Sequence, residues 1–72
     1  MTGKDFYSTL QAWHEDYVPM LRFGQFMTGF FDWHKMYFGN DCFYLEDNKF
    51  LFRLDMYLVD VLKVKKEYDN HA

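Results

Sequence analysis

The chain has little of what usually holds a very small domain together or places it in a membrane. Its 72 residues include one cysteine and one proline. The lone thiol, that of Cys42, cannot form an internal disulfide, which is typical of a protein kept in a reducing compartment. No apolar run approaches the roughly 18 residues that span a bilayer, and none of signal-peptide length follows Met1. We therefore expect a cytoplasmic protein without membrane association.

The sequence also lacks the motifs that most often mark catalysis or metal binding. The four glycines are scattered at positions 3, 24, 29 and 39, so no phosphate-binding loop is present. The histidines form no HxxxH or HExxH motif, and His34 falls on the apolar face of a predicted helix, where a histidine is usually a hydrogen-bonded core residue. Asp41 beside Cys42 would raise the pKa of the thiol instead of activating it. We expect no enzyme, no catalytic residue, no metal, no cofactor and no small-molecule substrate.

Aromatic residues, in contrast, are abundant. The chain is 24% aromatic, 50% hydrophobic and 26% charged, a composition that excludes a disordered tail and predicts a single folded domain over residues 1–72. A domain this short buries only about 60% of the surface that its unfolded chain exposes. Some aromatic rings should therefore stay exposed, which often indicates a partner. The net charge of −3 argues against a dedicated nucleic-acid binder.

The spacing of apolar residues predicts the first two helices. Four apolar residues of the first segment follow the i, i+4, i+7, i+11 spacing of one helical face: Phe6, Leu10, Trp13 and Tyr17. This spacing predicts a helix over about residues 3–16. Val18 precedes Pro19 and is disfavoured in a helix, whereas a proline suits a first helical turn. The second helix is therefore predicted over about residues 19–38.

Capping residues and charges define the rest of the fold. Gly39 is expected to end the second helix in the left-handed conformation. Glu46 and Asp47 place negative charge at the start of a third helix, predicted over about residues 46–67. Only the short segment 42–45 remains for a strand, and one strand cannot make a sheet. The sequence thus predicts an all-α fold, a compact three-helix bundle.

The third helix carries more apolar residues than one face can use. Phe52, Met56 and Val59 follow the i, i+4, i+7 spacing and lie about 100° away from the main apolar face. A second apolar stripe on a small bundle is typical of an oligomer or partner surface. We expect this stripe to bind another protein or a second copy of the chain as a homodimer. The alternative is that the first helix or the C-terminal tail covers it.

The lysine-rich end of the third helix offers an alternative function. Lys63, Lys65 and Lys66 form the only basic cluster and could contact phosphates in an accessory nucleic-acid-binding protein. Acidic residues follow them, which weakens such a site. Compensation of the helix dipole explains the lysines better, so nucleic acid is an unlikely partner.

Two glycines inside the second helix require an explanation, because each costs about 1 kcal/mol relative to alanine. Close approach of a bulky neighbour, such as Trp13 or Tyr57, would account for Gly24 and Gly29. The alternative is a groove for a ligand or peptide, with Arg22 and Gln25 as its polar groups. Arg22 is otherwise expected to pair with an acidic residue near the Gly39 turn.

Short segments of the chain resemble a family of small uncharacterised proteins from Gram-positive bacteria and their phages or mobile elements. The resemblance lies in the RFGQ segment, residues 22–25, and in the DxFYxED segment, residues 41–47. It implies a phage or accessory-element context and carries over no catalytic residue. Such relatives are expected to have charged residues where this chain has Phe52, Met56 and Val59.

Overall fold

Three α-helices joined by short turns, with no strand, form residues 3–66, the part of the chain that the computed structural model describes; of Lys4 only the backbone is described. Helix α1 spans Gly3–Tyr17, α2 spans Phe23–Phe38 and α3 spans Asp47–Met56. A 3₁₀ turn, Cys42–Tyr44, precedes α3, and a π-helical turn, Tyr57–Val61, continues it. The predicted all-α three-helix bundle is confirmed.

Helix α1 agrees with its predicted range to within one residue, but α2 begins later than predicted. Residues 18–21 form a turn, closed by a hydrogen bond from the Leu21 amide to the Val18 carbonyl oxygen at 3.0 Å. The ring of His14 holds the same turn, because its Nε2–H donates to the Leu21 carbonyl oxygen at 2.6 Å. Pro19 therefore lies in the turn, and the prediction that it starts α2 was wrong.

The ends of α2 are fixed by two residues close to it in sequence. Arg22 is the N-cap, and its backbone N–H donates to Oε1 of Gln25 at 3.1 Å. This bond is the side-chain half of a capping box, in which the third helical residue reaches back to the cap. At the other end Gly39 adopts φ 79°, and its amide donates to the Lys35 carbonyl oxygen at 2.9 Å. The predicted left-handed glycine cap is confirmed.

Helix α3 begins near its predicted start and ends well before residue 67. After Met56 the chain widens into the π-helical turn, which the Leu62 amide closes by donating to the Tyr57 carbonyl oxygen at 3.0 Å. Lys63 then takes a left-handed conformation, with φ 57°. The Val64 amide turns back to the Leu58 carbonyl oxygen at 3.1 Å, so the chain reverses after the helix.

The core lies where the three helices meet around Phe30. Phe30 is fully buried, and its ring centroid lies 5.2 Å from that of Phe50 and 5.8 Å from that of Tyr57. The same core contains further aliphatic and aromatic side chains with at most 2% exposure: Val18, Phe26, Leu51, Leu54 and Leu58. The radius of gyration of the Cα atoms is 11.4 Å.

Candidate functional site

An apolar groove of about 500 Å³ runs between α1 and α2 on the surface of the bundle. We call it the α1–α2 groove. It is lined by nine residues from all three helices: Phe6, Tyr7, Leu10, Phe23, Gly24, Met27, Thr28, Phe31 and Phe50. None of the nine was predicted as a site residue, although Gly24 was considered for a groove. The atoms that line the groove are almost all apolar.

The α1 side of the groove is an aromatic wall. The ring centroids of Phe6 and Tyr7 are 5.4 Å apart, and those of Phe6 and Phe50 are 5.3 Å apart, in edge-to-face arrangements. Edge-to-face contact is a favourable geometry for aromatic pairs. Phe50 therefore supports Phe6 from below, while Tyr7 keeps 69% of its surface exposed. The wall is held in place and still presents an aromatic ring to solvent.

Two of the α2 residues that line the groove, Gly24 and Thr28, are small and lie between larger apolar side chains. At Gly24 no heavy atom lies within 4 Å of the position that a Cβ would take. Thr28 follows one turn later and is also exposed. The prediction of a bulky neighbour is therefore wrong for Gly24, which borders open space. It is confirmed for Gly29, where a Cβ would lie 2.7 Å from Oη of Tyr57.

The floor of the groove continues into a further aromatic pair. The rings of Phe31 and Phe43 meet at 5.1 Å in an edge-to-face contact, and Phe43 is 66% exposed. Because Phe43 belongs to the 3₁₀ turn, the apolar surface extends from α1 across α2 to the start of α3. Contiguous exposed apolar surface of this kind is typical of interaction sites.

A second recess, with polar groups at its edge, adjoins the groove at the start of α2. Arg22, Gly24, Gln25 and Thr28 line it, and its volume is about 610 Å³. Gly24 and Thr28 are shared with the groove, so the two recesses are continuous. Among residues 3–66, no carboxylate lies within ion-pair distance of Arg22. The expected pairing of Arg22 with an acid near the Gly39 turn was wrong.

The predicted stripe on α3 is only partly exposed. Phe52 keeps 38% of its surface exposed, whereas Met56 and Val59 are half-buried. Phe52 also borders a separate recess of about 370 Å³ near the start of α3. That recess is lined by residues of the 3₁₀ turn and of α3: Tyr44, Leu45, Glu46, Asn48, Lys49 and Phe52. The role of the stripe as an interface stays a prediction.

The three lysines of the alternative prediction do not share one surface. Lys63 and Lys66 are exposed, but Lys65 is 6% exposed, and its Nζ lies 2.9 Å from Oδ1 of the fully buried Asp55. The same Nζ lies 5.7 Å and 5.9 Å from the ring centroids of Trp13 and Tyr17, within cation–π range. A lysine held in this way cannot also contact a phosphate.

The lysines also follow the helix instead of belonging to it. The π-helical turn ends at Val61, two residues before Lys63. The sequence predicted that these lysines lie in the last turn of the third helix and compensate its dipole. The lysines lie beyond that turn, so this explanation does not apply to them. Their position follows from the chain reversal at Lys63 and from the ion pair of Lys65.

His34 is a fully buried histidine whose two ring nitrogens both have partners. Its Nδ1–H donates to the Asn40 carbonyl oxygen at 2.8 Å, and Nε2 accepts from the Arg53 guanidinium at 2.9 Å. This arrangement requires the neutral ring with the proton on Nδ1. The guanidinium also lies 3.7 Å from the ring centroid of Phe38. The prediction of a hydrogen-bonded core histidine is confirmed.

Two titratable groups of the core, Cys42 and Tyr57, have raised pKa values. Burial raises the pKa of the Cys42 thiol, and the charge of Asp41 adds a smaller increase. Burial likewise raises the pKa of Tyr57, with a smaller contribution from Asp32. A buried, protonated thiol is a poor nucleophile. Among residues 3–66, no group of three His, Cys, Asp or Glu side chains could hold a metal ion.

No protein-family model, curated protein or solved structure matches this chain. Within residues 3–66, no helix has the length and apolar character needed to cross a membrane.

Proposed function

We propose that this chain is a small, non-enzymatic protein–protein interaction module that binds an α-helix of another protein in the α1–α2 groove. The observation that carries the proposal is the groove itself, a recess of about 500 Å³ that is open to solvent and lined mainly by apolar and aromatic side chains. Covering such surface with a partner removes apolar area from water, which is the main driving force of protein association.

The shape of the groove favours a helix as the bound segment. From Phe23 to Phe31 the groove follows α2 for about 12 Å, or roughly two turns at 1.5 Å per residue. Gly24 and Thr28 leave room for a second backbone to come close to α2. Apolar side chains at i, i+4 and i+7 of the partner would then enter the space between α1 and α2, the usual helix-in-groove arrangement.

A small molecule would fit the groove less well. Small-molecule sites enclose about 70–90% of their ligand and fix it with several convergent polar groups. This groove is open along its length, and the side-chain oxygen atoms on its lining are those of Tyr7 and Thr28. A partner helix needs neither enclosure nor dense polar contacts, because its other face stays in water.

The compartment and the biological context are part of the same proposal. Cys42 is a buried free thiol, which supports a reducing cytoplasm as the working compartment. The RFGQ and DxFYxED segments support a phage or accessory-element context by resemblance. The ion pair of Lys65 argues against the alternative, a nucleic-acid site at the lysines.

The proposal can be tested with helical peptides of about 14 residues selected from a display library on the folded protein. We expect selected peptides to shift the amide resonances of Gly24, Thr28 and Phe31. Substituting Gly24→Leu should weaken binding at least about tenfold, because the added side chain occupies the groove. Ala12→Leu is the matched control, since Ala12 is an exposed helical position outside the groove lining.

Two results would overturn the proposal. If the selected peptides bind the Gly24→Leu variant as tightly as the wild type, their site lies elsewhere on the protein. The wild type could also form a dimer that Gly24→Leu dissociates, and the groove would then belong to a second copy of this chain.

A further inference from the structure

We propose that the helix bound in the α1–α2 groove carries an acidic residue at one end, recognised by the side chains of Arg22 and Gln25 in the adjoining recess. This inference rests on the docking function proposed above and names the chemistry of the partner. It follows from the charge and hydrogen-bonding capacity at one end of the groove, which differ from those along its length.

Arg22 is the first reason to expect a carboxylate. Arg22 is an exposed residue, and its guanidinium forms no ion pair within residues 3–66. The side chain of Arg22 makes no cap hydrogen bond to α2. The hydrogen bond at the cap is donated by the backbone N–H of Arg22. Its planar fork of N–H donors is therefore available, and that fork matches a carboxylate in a bidentate arrangement.

Gln25 supplies a second donor beside Arg22. Its Oε1 accepts from the Arg22 backbone N–H at 3.1 Å, which fixes the position of the side-chain amide. Nε2 of the same amide carries two N–H donors, and Gln25 is exposed. Both residues line the recess that opens into the groove at Gly24 and Thr28. A carboxylate there would accept hydrogen bonds from two side chains.

The local charge differs from that of the whole chain. The chain carries a net charge of −3, yet the first turn of α2 contains no acidic side chain. The positive end of the helix dipole therefore adds to the charge of Arg22 at this end of the groove. A partner helix with an acidic end is attracted to it, and one with a basic end is repelled. The charge also sets the direction in which the partner lies along α2.

A double-mutant cycle with a selected groove-binding peptide tests the inference. In the peptide the acidic residue is changed to Gln, and in the protein Arg22→Gln removes the charge while leaving the backbone contact to Gln25. We expect each single change to weaken binding about three- to fivefold and the second change to have little further effect, the size typical of an exposed ion pair. Reversing both charges, with Arg22→Glu and a lysine in the peptide, should restore most of the affinity.

The outcomes separate this inference from the docking function. Groove-dependent peptides that lack an acidic residue, or that bind the Arg22→Gln variant unchanged, would overturn the acidic-partner inference and leave the docking function in place. Failure of the selection to yield any peptide sensitive to Gly24→Leu would overturn both.

Discussion

The two glycines of α2 show how one residue type serves opposite purposes. Gly24 borders open space at the groove, whereas Gly29 admits the hydroxyl of Tyr57 to within 2.7 Å of its Cβ position. The sequence shows two equally unfavourable residues in a helix, and only the neighbours in space distinguish them. A glycine beside a large ring is a packing requirement, while an open glycine leaves surface for a partner.

Alanine substitution should reveal this difference as opposite changes in stability. Gly24→Ala should raise the free energy of unfolding by about 0.5 kcal/mol, because it restricts the unfolded chain and meets no neighbour. Gly29→Ala should lower it by about 1–3 kcal/mol, because the ring of Tyr57 must move within a filled core. Urea denaturation of both variants measures the two values. Equal effects would contradict the assigned surroundings.

Cys42 should make the protein less stable at alkaline pH. Burial raises the pKa of the folded thiol above its ordinary value of 9.0. The unfolded chain therefore loses this proton at a lower pH than the folded chain does. The protonated thiol therefore contributes fully to the free energy of unfolding below about pH 9. This contribution is lost as the pH rises through the pKa of the folded thiol. Tyr57, whose pKa is raised from 10.0, should act in the same direction at higher pH.

Urea denaturation over a pH series, with Cys42→Ala as the comparison, checks this prediction. The variant should lose less stability than the wild type between about pH 8 and pH 10. In the same wild-type samples, a thiol reagent should modify Cys42 only at the rate at which the protein opens. Identical pH dependence in both proteins would show that the thiol does not contribute.

At the scale of elements, the sequence predicted those boundaries that neighbouring residues determine. The apolar spacing from Phe6 to Tyr17 marked α1, and Gly39 marked the end of α2, because each signal acts within a few residues. The start of α2 depends on the contact of His14 with Leu21, seven residues apart. The reversal of the chain after α3 brings Lys65 to Asp55, ten residues earlier. Such contacts exist only in the folded chain and leave no local pattern.

The ion pair between Asp55 and Lys65 should hold the chain reversal against the bundle. Lys65→Met removes one partner and leaves the carboxylate of Asp55 buried, which should cost about 3–5 kcal/mol. Replacing both residues, with Asp55→Leu and Lys65→Met, should cost much less, because apolar side chains of similar size need no charged partner. Thermal and urea denaturation of the single and double variants give the values. A double variant as unstable as the single one would refute this account.

At the scale of the whole molecule, the candidate site could not be predicted from any single helix. The stripe was predicted from the sequence of α3 alone. The groove, in contrast, is formed by residues of three helices, such as Tyr7 from α1, Thr28 from α2 and Phe50 from α3. Each of these residues is ordinary within its own helix. Only the relative positions of the three helices place them side by side. The sequence did indicate that aromatic rings would remain exposed, as the 92% exposure of Tyr44 illustrates.

Light scattering over a wide concentration range should give the mass of a monomer. The proposed groove accepts a helix of another protein, and two of the three stripe residues on α3 are half-buried. A dimer that Met56→Glu dissociates, but Gly24→Leu does not, would assign self-association to the stripe instead. Circular dichroism of the Met56→Glu variant must show an intact fold for that comparison to hold.

The π-helical turn at Tyr57–Val61 has a consequence for how the length of the chain can change. A turn closed by a bond between residues five apart holds one residue more than an α-helical turn. Removing one residue there would restore a regular helix while the flanking segments keep their mutual orientation. The same deletion within α3 would rotate every later side chain by about 100° and expose part of the core. We therefore expect single-residue deletions that leave the protein folded to be found mainly in this turn.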